Sequence, residues 1–406
     1  PEAVSMKYAI LLPDGAADFP IDALDGKTPF EAADTPVLDE LSTHGRLGTV
    51  RTTPPGMPCG SDVCTMSLLG YDPARYHTGR APLEAAALGI DLGPDDWVFR
   101  VNLVSAPDGV MQDHSAGGIG DAEARQLLSD FIAAADTPGL ELHPGVAYRH
   151  IMVDRDPRRD WDELVTTPPH DVPGEPVSKH LPHGGDYAPL LRDLIERSRA
   201  VFADHEINQA RRDTGQAEAT CLWPWGQGTR PAMPPFQERF GCRGAMITAV
   251  DLLAGLAAFM GWDRLDVPGQ SSYHDTDYAA AGRHAADALD RYDVVAVHLE
   301  APDEAAHAAD PHTKVAAIEA IDRDVLGPLV ERLRAKHDPF RLLLLPDHYT
   351  RCDTRKHDPT PPPLLLYGHE LPGVRRKPFS EANAHAADLH IAHGHELMEF
   401  FLHGGR

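Results

Sequence analysis

The sequence predicts an α/β fold, in which a core with a mostly parallel sheet flanked by helices is interrupted by a smaller inserted α/β domain. Three observations predict it. Short apolar runs at Lys7 to Leu12, Val294 to Leu299 and Leu342 to Pro346 read as buried strands, and carboxylates follow each within a few residues. In an open parallel sheet, ligands gather just outside the carboxyl ends of such strands. Helical segments alternate with these runs toward both ends of the chain, whereas the stretch from about 92 to 239 is irregular, with clustered Pro, His and Trp. At 406 residues the chain also exceeds one ordinary core. Residues 1–91 and 240–406 are therefore expected to form a discontinuous core, and 92–239 an inserted domain.

Taken in order, the first strand ends in Pro13-Asp14-Gly15. Glu31 to His44 then reads as one helix, with Val37, Leu38 and Leu41 at helical spacing and Gly45 as its stop. Thr52 to Gly60 is a Pro/Gly-rich loop, after which Ser61-Asp62 is placed as an N-cap for a helix over Val63 to Leu69. Trp97 to Val104 reads as a strand, and an Ala/Leu-rich helix is expected from Gly244 to Met260.

Composition narrows the partners. A net charge of -25 argues against nucleic acid or an anionic membrane, since both would repel the average surface. An anionic substrate must then be drawn in by a local cluster of cations or by metal. The five cysteines include no CxxC pair, so a disulfide framework is not expected. No apolar stretch reaches the roughly 20 residues that span a bilayer, and no signal-peptide-like segment opens the sequence. A reducing cytoplasm is the expected location. The number of subunits is left open.

The chemistry-bearing residues cluster where strands end. Asp303 and His307 are four apart, so on one helical turn they face the same way. Asp347 and His348 adjoin after another strand, and His357 follows nine residues on. In a chain with 23 histidines some are incidental, yet the pairs sit where two predicted strands end. Mixed imidazole and carboxylate donors suit manganese, zinc or iron better than calcium. Asp14 is a third carboxylate at a strand end. Ser61, at a loop-to-helix junction, is either a plain cap or, beside a metal, a nucleophile that needs no histidine base. With Asp14 and Ser61 the donors are Asp14, Ser61, Asp303, His307, Asp347, His348 and His357, enough for two divalent ions clamping a phosphoryl group.

These residues, together with Gly26-Lys27-Thr28-Pro29, Gly60-Ser61-Asp62, Leu69-Gly70-Tyr71-Asp72-Pro73, Thr78-Gly79-Arg80-Ala81-Pro82-Leu83-Glu84, Glu300-Ala301-Pro302-Asp303 and Pro346-Asp347-His348, resemble the cofactor-independent phosphoglycerate mutases of the alkaline phosphatase superfamily, archaeal type and bacterial relatives. The resemblance implies an alkaline-phosphatase-like core and two divalent metals (manganese, zinc or magnesium) without 2,3-bisphosphoglycerate. One metal would be held by Asp303, His307 and His357, and the other by Asp14, Ser61, Asp347 and His348. It implies a phosphoserine on Ser61 and a small anionic phosphorylated substrate. Arg80, Arg100 and Arg149 are the candidates to grip that substrate, with Asp113 and His114 near the proton transfer.

The chain departs from the pattern in places. Relatives read Arg or His after Ala-Gly, where this chain has Gly118, and often Lys where it has Ala254. Insert segments such as Gly145 to His150 and Pro168 to Asp171 are most similar to a bacterial branch with a proposed homoserine kinase role. The runner-up reading is accordingly a phosphotransferase or phosphatase acting on another small metabolite, although no Walker-type loop is present. A binding protein without turnover is a further alternative, against which the serine among the donors counts.

Overall fold

The computed structural model describes residues 6–404 apart from 136, 138, 338, 372, 374 and 375. It divides into two compact units, Pro1–His77 with Met233–Arg406, and Thr78–Ala232. Among the described residues, no helix is long and apolar enough to cross a membrane.

The first unit is built on an eight-stranded sheet. Its strands run in the order Leu389–Ile391, Arg46–Val50, Pro363–Gly368, Phe340–Leu344, Lys7–Pro13, Val294–Leu299, Gly244–Ile247 and Asp263–Arg264. Pro363–Gly368 is antiparallel to both neighbours, and the remaining pairings are parallel. The central strands are continuous apolar runs because helices cover both faces; Ala9, Ile10, Leu11, Val295, Val297, Leu342 and Leu343 are fully buried. Register then decides where the site forms. Leu11 lies opposite Leu344, and Pro13 opposite Leu299, so three adjacent strands end together and release Asp14, Glu300 and Asp347 at one edge.

Several expected elements differ. The helix expected over Glu31 to His44 is two helices, Pro29–Ala32 and Pro36–His44. Pro36 cannot donate a backbone hydrogen bond and pushes Thr35 out of the helical region, to φ -126 and ψ 66. The helix expected over Gly244 to Met260 begins as the strand Gly244–Ile247, which pairs with Val294 to Val297, and only Asp251–Phe259 is helical. Here sheet pairing overrides a helical composition. The next helix of interest is Ser61–Leu68, and its cap is Gly60 rather than Ser61.

The second unit carries a four-stranded antiparallel sheet in the order Leu140–Val146, Arg149–Asp154, Trp97–Val104 and Cys221–Thr229. The helices Asp121–Ala134 and Ala188–Ala203 cover it, through a core that includes Phe99, Leu103, Phe131, Trp161, Leu191 and Phe202. The division falls earlier on both sides than the expected 92 and 240. Helix Arg80–Ala87 packs on the strands Trp97–Val104 and Cys221–Thr229, and Thr78 Oγ1 donates to the Thr229 carbonyl at 2.5 Å. At the other end, Phe236 packs edge-on against Trp262, 4.8 Å between ring centres, and donates its N–H to the Met260 carbonyl at 2.8 Å, which ties that segment to the first unit.

His150, on the strand Arg149–Asp154, makes the fold sensitive to acid. It is 2% exposed, and its Nδ1 accepts the Gly145 N–H at 3.1 Å, so the ring is neutral. Burial first, and then the nearby Arg125, lower its pKa to about 4, against a weaker pull from Asp121. An unfolded histidine titrates near 6.5, so the unfolded chain binds more protons between about 6.5 and 4 and stability falls as pH drops through that window. Urea unfolding is expected to show this as a loss on the order of 2–3 kcal/mol, and His150→Gln to remove that part of the pH dependence.

Candidate active site

Two groups of donor side chains form at the edge where the three strands end. In the first, helix Ala301–His307 carries Asp303 and His307 on one turn, with His307 Nε2 3.1 Å from Asp303 Oδ2. A hairpin, Tyr349–Arg351 paired with Lys356–Asp358, delivers His357, whose Nε2 is 3.4 Å from Asp303 Oδ1. The Nδ1 of His307 faces the Arg355 carbonyl at 3.0 Å, and that of His357 faces the Cys59 carbonyl at 2.9 Å. A carbonyl can only accept, so each Nδ1 carries the proton and each Nε2 is left with a lone pair. Yet the two Nε2 atoms stand 3.0 Å apart. Facing lone pairs at that distance call for a cation or a shared proton between them. Without a metal the proton is favoured: burial opposes a charge on His357, but the hydrogen bond and field of Asp303 raise it to about 9.

The second group is Asp14, Asp347 and His348, all with no exposed surface, together with Ser61. Each carboxylate has one oxygen tied down and one left over. Asp14 Oδ2 pairs with His298 Nε2 at 2.7 Å, and Asp347 Oδ1 accepts the N–H groups of Gly15 at 3.3 Å and His348 at 3.0 Å. Asp14 Oδ1 and Asp347 Oδ2 are buried without any hydrogen-bond partner, and each lies 3.4 Å from His348 Nε2. Ser61 Oγ completes the group, 3.2 Å from the same nitrogen. Burial first, then the charges of Asp347, Glu300 and Asp303, push the Asp14 carboxyl well up. Burial and then Asp303 likewise raise Glu300 to about 8. Buried carboxylates under this pressure either take up a proton or meet a counter-charge, and their donor set of imidazole and carboxylate fits a divalent transition metal or magnesium. The ligand atoms of Asp14, Asp347 and His348 lie within 4.8 Å of one another, as do those of Asp303, His348 and His357. His348 thus borders both groups, its ring stacked 3.9 Å from that of His357.

Ser61 is the first residue of its helix, and Gly60 offers no side chain to the first-turn N–H groups. That end of a helix favours an anion. The sequence reading missed three side chains that brace the donors. His298 holds Asp14 and is held in turn by Thr248 Oγ1 at 3.1 Å, Glu300 faces His298 at 3.6 Å, and Thr350 touches both Asp303 and His348. A signal existed for His298, the polar member of an otherwise apolar strand, Val-Val-Ala-Val-His-Leu.

The expected substrate-gripping residues all lie in the second unit. Arg100 is the most enclosed of the three arginines, with its guanidinium 4.1 Å over the Trp225 ring and its Nε 3.1 Å from Glu84. Burial lowers its pKa; Glu84 opposes this, and the charges of Arg80 and Arg149 add to it. Arg149 lies over Tyr148, whose ring is 5.6 Å from that of His114. His170 joins this cluster, 6.0 Å from His114 and 5.2 Å from Trp225 between ring centres. It sits on the short turn Pro169–Asp171, a segment the sequence alone could not tell from an ordinary turn. Asp113 points into its own turn, accepting from the Ser115 N–H and hydroxyl, both at 2.6 Å. Burial works to raise it, but these bonds outweigh that and hold the carboxyl below its ordinary range. At Gly118 a side chain would meet open space, and the backbone is at φ +66.

A family model described as 2,3-bisphosphoglycerate-independent phosphoglycerate mutase matches residues 42–208. The chain is 46% identical over 399 residues to 2,3-bisphosphoglycerate-independent phosphoglycerate mutase 2 of Methanothermobacter thermautotrophicus, covering 98% of each chain. The chain belongs to this mutase family. A probable family member from Geobacter sulfurreducens is 41% identical over 404 residues, covering 98% of this chain and 100% of its own. Among solved structures, a Pyrococcus horikoshii protein superposes with a TM-score of 0.84 at 28% identity, covering 99% of this chain and 97% of that one. The cofactor-independent phosphoglycerate mutase of Thermoplasma acidophilum follows, with a TM-score of 0.71 at 26% identity and coverage of 99% and 100%.

For a mutase-family site built from unpaired buried oxygens, metal removal should be felt in the fold. Treatment with a chelator is expected to lower the melting temperature, and added manganese to raise it again, adding about 2.7 kcal/mol of stability once the free ion stands at 100 times its Kd. Differential scanning calorimetry with and without the ion checks this.

Proposed function

We propose that the protein is a metal-dependent phosphoglycerate mutase that interconverts 2-phosphoglycerate and 3-phosphoglycerate through a phosphoserine on Ser61. The observation that carries this reading is Ser61 Oγ, 3.2 Å from His348 Nε2 and grouped with two buried carboxylate oxygens that have no partner. Two divalent ions, manganese, zinc or magnesium, held by Asp303, His307 and His357 and by Asp14, Ser61, Asp347 and His348, would when bound lower the pKa of the serine hydroxyl and neutralise phosphate charge. Ser61 gives up its hydroxyl proton to solvent and its Oγ attacks phosphorus, the bond from phosphorus to the substrate oxygen breaks, and that oxygen takes up a proton. In the return step the other glycerate hydroxyl gives up its proton and attacks the phosphoserine, freeing Ser61. The phosphoryl group waits on the serine, so no 2,3-bisphosphoglycerate is needed as a donor.

Retaining the glycerate between the two steps falls to the second unit. Arg80, Arg100 and Arg149 supply guanidinium groups that bind carboxylate or phosphate in bidentate fashion. Such a local cluster of cations is what a chain of net charge -25 needs for an anionic substrate. Asp113 beside them is held ionised by Ser115, and His114 stands against Tyr148 and His170 in the same cluster. All five cysteines are free, which fits a reducing cytoplasm.

The test is to incubate the manganese-loaded protein with 3-phosphoglycerate and couple product formation to enolase. Turnover is expected; hydrolysis of a generic phosphomonoester without a coupled signal would sink the mutase reading in favour of a phosphatase. Ser61→Ala should lower turnover by more than about 10³-fold. Arg100→Ala should raise KM by about tenfold or more while leaving the metal content of the protein unchanged. Wild-type turnover in Ser61→Ala, or an unchanged KM in Arg100→Ala, would count against the respective assignment.

A further inference from the structure

Thr350 has no exposed surface and stands between the two donor groups. Its Oγ1 is 2.5 Å from Asp303 Oδ1 and 3.1 Å from His348 Nδ1. A hydroxyl has one proton to give. An ionised carboxylate can only accept, so the proton goes to Asp303, and His348 Nδ1 must then be the donor to Oγ1. This fixes His348 with its proton on Nδ1. The lone pair is left on Nε2, the atom that faces Ser61, Asp14 and Asp347. We propose that Thr350 is a positioning residue that sets the direction of Asp303 in one donor group and the tautomer of His348 in the other, coupling cation binding at both. The inference rests on reading these two groups as cation sites.

The surroundings hold Thr350 in place from three directions. Its N–H donates to the Ala17 carbonyl at 3.1 Å, and its own carbonyl accepts from Lys314 Nζ at 2.7 Å. Lys314, on helix Pro311–Ile321, is itself fully buried and also reaches Ala17 O and Asp18 Oδ2, both at 3.3 Å. The hairpin pairs Thr350 with His357, a donor of the first group. Space is kept open as well: a Cβ on Gly15 would lie 2.4 Å from both Asp303 Oδ1 and Thr350 Oγ1. The glycine of Pro13-Asp14-Gly15 therefore makes room for the Thr350 hydroxyl, besides adopting φ +58. A β-branched side chain is stiff about χ1, which keeps the hydroxyl aimed.

The variant Thr350→Val keeps the shape and removes the hydroxyl, while Thr350→Ser keeps the hydroxyl. Partners that orient metal ligands are worth about 10- to 100-fold in metal affinity. Calorimetric titration of the chelator-treated protein with manganese is expected to show Thr350→Val weakened by about that factor at both sites, and Thr350→Ser restored toward wild type. Manganese bound by Thr350→Val with wild-type affinity would overturn the proposal, as would a loss shared equally by Thr350→Ser. Should the valine variant fail to fold, ¹⁵N NMR of the histidines in the metal-free wild type decides instead. His348 protonated on Nδ1 supports the proposal, and protonation on Nε2 alone refutes it. If the wild type binds no manganese at all, the reading of the cation sites fails rather than the role of Thr350.

Discussion

Two carboxylate oxygens, one on Asp14 and one on Asp347, lie fully buried with no hydrogen-bond donor, and the architecture of the first unit depends on how that is tolerated. A buried anionic oxygen without a partner costs several kcal/mol in general, so a fold that holds two of them side by side is built around a counter-charge. The parallel sheet produces the problem and its answer together. Three strands in register end at one edge, and the next residues along each are donors to the same small volume. The residues behind them direct N–H groups at the other carboxylate oxygens: Gly15 and His348 at Asp347, and His298 at Asp14. What is left bare is what faces inward.

The division of labour follows from charge. The first unit concentrates carboxylates and imidazoles, which attract cations and repel a phosphate until those cations are present. The second unit gathers Arg80, Arg100, Arg149, His114 and His170 around Trp225 and Tyr148, with Glu84 paired to Arg100. In a chain of net charge -25 this is a deliberate local reversal, and it suits a substrate that carries both a carboxylate and a phosphate.

Much of this was legible before any coordinates. Apolar runs followed by carboxylates located the strands and their functional ends, because burial on both faces leaves a continuous signal in sequence. The i,i+4 spacing of Asp303 and His307 placed them on one helical turn. Other features were not legible, each for a physical reason. Ser61 reads as a cap in sequence because loop-to-helix serines usually are, whereas the structure makes Gly60 the cap and sets Ser61 Oγ 3.2 Å from His348 Nε2. The break at Pro36 and the strand at Gly244–Ile247 were set by backbone restriction and by sheet pairing, which local composition does not report. The boundary of the second unit moved because helix Arg80–Ala87 chooses its partners across the fold. His298 braces Asp14, and Thr350 braces Asp303, through contacts between distant segments, which no spacing rule reveals.

The most direct test of the central claim, that the bare oxygens and lone pairs exist to hold metal, is anomalous X-ray diffraction from crystals grown with manganese. The account predicts one ion among Asp303, His307 and His357, and another among Asp14, Asp347, His348 and Ser61. Diffraction showing no ion at either group, or ions bound only elsewhere on the protein, would contradict it.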